Sequence, residues 1–327
     1  MSTEGGTRAV VAAMAANGFI ALMKFGAWAL TGASSMLAEA VHSVVDTGNQ
    51  ALLLVGGRRA KRAATEEHPF GYGRERYVFA FLVAIILFSM GGLFAIYEAF
   101  HKYEEIVAGH PNELLEGPWW WVPILVLLLS IVAESFSLRT AVRESNHVRG
   151  RQSWRRFVQT ARSPELPVVL LEDVAALLGL FFALVGVGMT LVTHNGLWDV
   201  AGTALIGMLL ISVAIIMAIE TKSLLLGEAA TPEAVGRIRQ ALTDADGVRR
   251  VIHLKTLHLG PEEVLVAAKI AVEPTDSAAR VAEVINTAEV AIRVAEPQVT
   301  ALYLEPDIDT STVDSAPDAP PATPALS

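Results

Sequence analysis

Residues 166–192 read LPVVLLEDVAALLGLFFALVGVGMTLV, an apolar run in which the adjacent acids Glu172 and Asp173 are the only charged residues. An α-helix needs about 20 apolar residues to cross the hydrocarbon core of a bilayer. The run therefore predicts a membrane-spanning helix with two carboxylates inside the bilayer.

Similar apolar runs lie on both sides of this segment. The chain is 53% hydrophobic and 18% charged, whereas soluble domains carry about 25% charged residues. These features predict an α-helical membrane protein with its lipid-facing surface in the first two thirds of the chain. We predict six spans, at residues 8–30, 35–57, 77–101, 118–140, 166–192 and 198–222.

The net charge and the absence of cysteine exclude some kinds of partner and metal site. The net charge of −9 argues against a nucleic-acid partner, because phosphate binding needs a basic face. The chain has no cysteine, so disulfides and thiolate metal sites are excluded. A metal ion would have to bind histidine and carboxylate side chains.

The links between the predicted spans alternate in charge. Residues 56–76 and 143–164 are rich in Lys and Arg, whereas the link after the third span has only Lys102 and the link after the fifth has none. Basic links stay in the cytoplasm, so these two segments and, with six spans, both termini are predicted to be cytoplasmic. This orientation suggests a bacterial plasma membrane.

The pattern changes after residue 226. Thr231 with Pro232 begins an amphipathic helix, and the periodicity then predicts the order α-β-β-α-β. The predicted division is a membrane domain at 1–226, a small cytosolic α+β domain at 227–308 and a disordered tail at 309–327. The domain's elements are predicted at 231–241, 248–259, 264–272, 277–295 and 298–304.

The second span carries a polar stripe. Glu39, His42, Asp46 and Asn49 are spaced by three, four and three residues, which places them on one face of a helix. Ionisable groups at membrane depth mark ion pathways, and His42 and Asp46 can both reach one cation. The alternative is that Asp46 caps or pairs locally, for example with Lys24 in the first span, and that His42 hydrogen-bonds a neighbouring helix.

The acids of the fourth and fifth spans have more than one interpretation. Neighbours on a helix point about 100° apart, so one of Glu172 and Asp173 can face the bundle interior while the other faces a neighbouring helix. Alternatively, both lie at the helix N-terminus after Pro164, where acids are favoured. Glu134 is predicted to form an ion pair or to line a polar seam, and not to bind the transported ion.

Three motifs carry a family resemblance. His42-Ser-Val-Val-Asp46 with Asn49 and Gln50 resembles the second-helix signature of the cation diffusion facilitator, or cation efflux, family, and His68-Pro-Phe-Gly-Tyr-Gly-Arg74 resembles its loop into the third helix. Asp173 matches the fifth-helix aspartate. The segment around Glu172 and Asp173 is similar to the zinc-transporter-nine branch, and the whole resemblance covers residues 8–306.

The resemblance implies a homodimer in the lipid bilayer that exchanges a divalent cation, zinc foremost, for protons. It implies a ferredoxin-like cytosolic domain and no resident cofactor. His42, Asp46 and Asp173 fill three of its four transport-site positions, and the fourth is Val169, where zinc transporters usually have histidine. Asn49, Glu172 or water are candidates to replace that ligand, with Asn49 favoured. With one nitrogen ligand, selectivity could shift toward manganese, iron or cobalt.

The remaining polar residues are predicted to have supporting roles. His68 and Arg74 are interpreted as loop and gating structure, and Lys24, Glu39 and Glu134 as pathway residues. Tyr303 stands where the family's cytosolic domain usually has a histidine, so this domain is predicted to be a dimerisation module.

Two other functions also place histidines or carboxylates inside membrane helices. An intramembrane protease needs His-Glu-x-x-His or a Gly-x-Gly-Asp turn, and both are absent from the sequence, so no enzyme is predicted. A metal-binding scaffold that does not transport stays open because Val169 leaves a three-ligand site. Metal-dependent proton flux distinguishes the two.

Overall fold

The computed structural model describes residues 3–308, and their side chains from Asn17 onward. The chain divides into two compact units, Met1–Gly227 and Glu228–Ser327. The predicted disordered tail, 309–327, lies outside the described residues.

The first unit is built of long helices that follow the predicted spans in order. Gly32, with φ of 59°, makes the tight turn between the first two. The elements are α1 (Thr3–Thr31), α2 (Ser34–Ala60), α3 (Glu75–Ile86), a π-helical stretch (Leu87–Leu93), α4 (Phe94–Val107), α5 (Glu113–Glu116), α6 (Trp121–Arg149), α7 (Trp154–Thr160), α8 (Glu165–Thr193) and α9 (Leu197–Leu226).

Four of these segments are long and apolar enough to cross a membrane by length and composition alone, within the described part of the chain. They are Glu75–Val107, Trp121–Arg149, Glu165–Thr193 and Leu197–Leu226. The helix α2 is not among them, and its polar stripe is buried against its neighbours. A helix can keep polar groups at membrane depth when they face the bundle interior. The spans assigned to α1 and α2 therefore stay predictions.

Two helices differ from the predicted spans. The helix α6 continues to Arg149, beyond the predicted end at residue 140. Hydropathy marks where an apolar surface ends, but the backbone stays helical until a breaker, here Gly150 with φ of 56°. The π-helical stretch lies inside the third span. A Cβ atom on Gly92 in this stretch would lie 3.1 Å from the backbone nitrogen of Ile211 on α9.

The helices α8 and α9 approach each other closely at a pair of glycines, Gly186 and Gly202. A Cβ atom on Gly186 would lie 2.9 Å from the carbonyl oxygen of Trp198 and 3.4 Å from the Cα atom of Gly202. Small residues allow this backbone approach in membrane helices. Around it runs an apolar core that includes Met36, Leu87, Leu127, Leu180 and Leu210.

The second unit has the predicted order α-β-β-α-β. Thr231 caps its first helix as predicted, because its Oγ1 accepts a hydrogen bond from the backbone of Ala234 at 3.3 Å. The elements are α10 (Pro232–Asp244), β1 (Arg250–Gly260), β2 (Glu263–Val272), α11 (Ala278–Ala295) and β3 (Val299–Ile308).

The three strands form one sheet in the order β1-β2-β3. The strands β1 and β2 are antiparallel, and β2 and β3 are parallel. The strand β3 continues past its predicted end at residue 304 because it pairs with β2 as far as Ile308, through Pro306. Proline is tolerated there since β3 is an edge strand, where its missing N–H leaves no ladder bond unmade.

Candidate metal site

The polar stripe on α2 lies inside the first unit. The exposed fractions of Glu39, His42, Asp46 and Asn49 are 0%, 1%, 9% and 0%. Such burial is costly for ionisable groups unless they find a partner. The stripe therefore calls for a counter-ion, a hydrogen-bond partner or a bound cation at each position.

His42 and Asp46 contact each other, but they do not satisfy each other. The Nδ1 atom of His42 lies 3.4 Å from Oδ1 of Asp46, without hydrogen-bond geometry. Among the described residues, neither ring nitrogen of His42 forms a hydrogen bond. The Oδ1 atom of Asp46 accepts none from these residues either. A neutral imidazole nitrogen and a carboxylate oxygen are the donor atoms that zinc takes when thiolates are absent.

The hydrogen bonds named for the local-pairing alternative are not formed among the described residues. Lys24 does not hydrogen-bond Asp46. Its Nζ instead donates to Oε2 of Glu39 at 2.9 Å and to Oγ of Ser43 at 2.8 Å. The predicted hydrogen bond from His42 to a neighbouring helix is not formed within the described residues either.

The ion pair of Lys24 and Glu39 lies against a glycine of α8. A Cβ atom on Gly179 would lie 2.5 Å from Oε1 of Glu39, so the absence of a side chain there makes room for the carboxylate. The pair therefore joins α1, α2 and α8 beside the stripe.

The two acids of α8 point to different helices. Oε1 of Glu172 accepts a hydrogen bond from Nδ2 of Asn49 on α2 at 2.7 Å. Oδ2 of Asp173 accepts one from Oγ of Ser137 on α6 at 3.0 Å. Both acids are buried, with exposed fractions of 3% and 7%.

The position of these acids disfavours the helix-end alternative. The helix α8 begins at Glu165, so Glu172 lies about two turns, or roughly 10 Å, inside it. The favourable effect of a helix N-terminus on acids falls off within the first turn. Glu172 and Asp173 are therefore buried against α2 and α6 and do not lie at the helix end.

The position of Val169 offers no ligand, whereas Asn49 offers one. Val169 packs against the apolar cluster of Ala141, Phe157 and Leu170. The Oδ1 atom of Asn49 is buried and accepts no hydrogen bond from the described residues. An amide oxygen in this state can bind a cation.

Carboxylates from two other helices, α6 and α8, lie near Asp46. Glu134, Glu172 and Asp173 interact with it electrostatically, as does Lys24, and Glu134 also interacts with Lys24 and Glu39. Acids outnumber cations in this buried region, which favours a divalent cation. Across the described residues, however, no three His, Asp or Glu side chains already stand together as a metal site. One ion could therefore bind α2 and α8 together only if these side chains moved closer to one another.

His68 and Arg74 lie in the link between α2 and α3. His68 is exposed and its ring stacks on Tyr72 with centroids 4.6 Å apart. The carbonyl of Arg74 accepts a hydrogen bond from the backbone nitrogen of Tyr77 at 3.0 Å, at the start of α3. Their contacts shape the loop, and their gating role stays a prediction.

Asp199 is a buried acid to which sequence reasoning gave no role. Its carboxylate accepts hydrogen bonds from the backbone nitrogen of Ser34 at 2.7 Å and from that of Ser35 at 3.4 Å. It thus caps α2 from the first turn of α9. The sequence holds a signal for this, because Ala33 at the N-cap of α2 has no side-chain oxygen and the cap must come from elsewhere.

Residues 10–226 match the cation efflux transmembrane domain family. The human proton-coupled zinc antiporter SLC30A9, mitochondrial, is 32% identical over 269 residues, covering 82% of this chain and 46% of its own. Metal tolerance protein C4 of Arabidopsis thaliana is 28% identical over 267 residues, covering 80% and 56%. The chain spans about half the length of these relatives. A solved structure of the MamM C-terminal domain is 22% identical, covering 23% of this chain and 95% of that one, with a TM-score of 0.23.

These matches agree with an integral membrane protein. They give no support to the predicted bacterial plasma membrane, because the human relative is named as mitochondrial.

Proposed function

The chain belongs to the cation efflux family, and on that premise we propose that it is a divalent metal cation transporter that exchanges zinc for protons. The observation that carries the proposal is the buried pair of His42 and Asp46, whose facing atoms lack hydrogen-bond partners among the described residues. This pair lies beside the buried carboxylates of α8.

Exchange follows from the chemistry of the ligands. A bound metal requires a neutral His42 and ionised Asp46 and Asp173, and protons compete for the same atoms. A state open to the cytosol loads metal, and a state open to the other side releases it and takes up protons. The bundle changes between these states around a fixed site, as in other secondary transporters.

Zinc is the proposed substrate, with a mixed ligand set. His42, Asp46 and Asp173 supply three ligands, and the free amide oxygen of Asn49 is the best-placed fourth. Glu172 or water could replace it. One nitrogen among oxygens also suits manganese, iron or cobalt, so these ions are secondary candidates.

The neighbouring residues and the second unit have supporting roles in the proposal. Lys24, Glu39 and Glu134 line the pathway, and His68 with Arg74 gates it. The second unit is a dimerisation module, so the transporter works as a homodimer. Light scattering on the detergent-solubilised protein would then give twice the chain mass of 35.0 kDa.

Transport by purified protein in liposomes with an internal pH probe tests the proposal. Zinc, manganese, cobalt, iron and cadmium are supplied in turn, and flux of at least one with opposing proton movement is expected. Asp46→Ala and Asp173→Ala should reduce this flux to background, because each removes a ligand. The control Glu104→Ala changes an exposed acid of α4 and should retain it. Residual flux above half of the unmodified level in either aspartate variant would exclude the site.

A metal-binding scaffold is the second candidate. It is favoured by the apolar packing of Val169 and by the fact that no three donors are gathered within the described residues. Intact metal binding with no flux for any ion would establish it in place of the transporter.

A further inference from the structure

A cavity of about 860 Å³ lies in the first unit between α6, α7, α8 and α9. Its walls are mostly aliphatic, with Leu138 on α6, Leu171 and Val174 on α8, and Ile216 and Ile219 on α9. The volume falls within the range of roughly 300–1,000 Å³ that is usual for small-ligand pockets. The cavity is separate from the buried cluster of the candidate metal site.

The short helix α7 is fixed as one wall of the cavity. Oγ of Ser153 caps it by accepting a hydrogen bond from the backbone of Arg156 at 3.2 Å. Phe157 is 3% exposed and packs with Ala141 and Leu170. The guanidinium of Arg149 lies 4.0 Å from the ring centroid of Trp154. These contacts hold α7 across the helices, so the cavity is a built feature of the fold.

Three apolar side chains that line the cavity are also exposed on the surface of α8 and α9, two helices long and apolar enough to cross a membrane. The exposed fractions of Val174, Ile216 and Ile219 are 38%, 43% and 60%. Apolar side chains at the opening favour entry of a hydrocarbon chain from the membrane and disfavour a water-soluble ligand.

Two charged side chains of opposite sign line this cavity, Arg155 on α7 and Glu220 on α9. An arginine binds a phosphate with two parallel hydrogen bonds, and a carboxylate accepts hydrogen bonds from a primary ammonium. A ligand with an apolar chain, a phosphate and a primary ammonium matches all three features. Trp154 beside Arg155 is a residue type that favours the membrane interface.

We propose that this cavity binds one phosphatidylethanolamine molecule, with an acyl chain between α6, α8 and α9, the phosphate on Arg155 and the ammonium on Glu220. Phosphatidylcholine has no N–H group to donate to Glu220, and phosphatidylglycerol has no cation for it. The site is independent of the proposed transport, because it uses none of the metal-site residues.

Native mass spectrometry of the full chain in detergent tests the headgroup preference. Phosphatidylethanolamine, phosphatidylcholine and phosphatidylglycerol are supplied at equal concentrations, and the retained lipid is counted. Phosphatidylethanolamine should be preferred, and Arg155→Gln should weaken its retention by about tenfold, because a charge-assisted hydrogen bond is lost. Glu220→Gln should remove the preference over phosphatidylglycerol. Equal retention of all three lipids by the unmodified protein would overturn the proposal.

A matched pair of tryptophan substitutions tests the location. Val174→Trp fills the cavity, whereas Val185→Trp lies three turns further along the same face of α8, is 43% exposed and lies outside the cavity. Loss of the lipid in Val174→Trp alone is expected. Equal retention in both variants would contradict the location. The location would also be contradicted if Val174→Trp dissociated an oligomer while the lipid stayed bound. A second copy of the chain, and not the lipid, would then occupy the cavity. If Val174→Trp does not fold, Arg155→Gln and Glu220→Gln still decide the outcome.

Discussion

Lys24 and Glu39 form an ion pair with exposed fractions of only 1% and 0%. Removing one partner of a buried pair leaves an uncompensated charge, which costs about 3–5 kcal/mol. Replacing both partners with apolar groups costs much less. This pair therefore gives a prediction about stability that can be separated from transport.

Lys24→Met should lower the free energy of unfolding by about 3–5 kcal/mol, and Lys24→Met with Glu39→Met should recover most of the loss. Unfolding in mixed micelles followed by tryptophan fluorescence measures both. The control Lys102→Met breaks a more exposed pair with Glu105, which should cost no more than about 1 kcal/mol. A double variant as unstable as the single one would show that the pair acts in another way.

Residue spacing predicted part of the candidate site. Because the helical period is local, the stripe of His42, Asp46 and Asn49 could be placed on one face from the sequence. The partners could not, because they depend on how distant helices pack. The hydrogen bonds from Ser34 to Asp199 and from Asn49 to Glu172 join residues more than 100 positions apart.

At the scale of elements, hydropathy located the six helical segments but not their internal geometry. The π-helical stretch Leu87–Leu93 lies where Gly92 contacts α9. The hydropathy of the local sequence does not predict it. The extension of α6 to Arg149 was missed because charged residues can continue a helix beyond the apolar surface.

The contact between α8 and α9 predicts opposite effects for two glycines of one helix. Gly186→Ala places its Cβ atom 2.9 Å from a carbonyl oxygen of α9, whereas Gly188 has nothing within 4 Å. Gly186→Ala should lower the melting temperature in detergent, because the two backbones must separate. Gly188→Ala should leave it unchanged or raise it, since alanine favours a helix over glycine by about 0.5–1 kcal/mol. Equal changes in both variants would contradict the close approach.

At the scale of the whole molecule, the order of the second unit was predictable because each helix and strand has its own local period. The parallel pairing of β2 with β3 agrees with that order, because a helix between two paired strands returns the second strand parallel to the first. The difference in charge between the links predicts on which side of the membrane each link lies. It does not predict how the helices pack.

The charge asymmetry predicts which links are accessible from each side of the membrane. The chain has no cysteine, so single cysteines can be introduced without background labelling. Glu66 and Gln152 lie in the two basic links, and His110 and Thr193 lie in the links poor in Lys and Arg; all four are exposed. Because basic links stay in the cytoplasm, a membrane-impermeant maleimide should label His110→Cys and Thr193→Cys in intact cells.

Glu66→Cys and Gln152→Cys should react only after the cells are permeabilised, with the cysteine-free parent as the control. The reverse pattern would keep the six crossings but invert the transporter, so that the proposed export would become import. Labelling of the two basic links from opposite sides would require an odd number of crossings between them. That outcome would exclude one of the spans between α2 and α8, and with it the approach of Asp46 to Asp173 on which the proposed site depends.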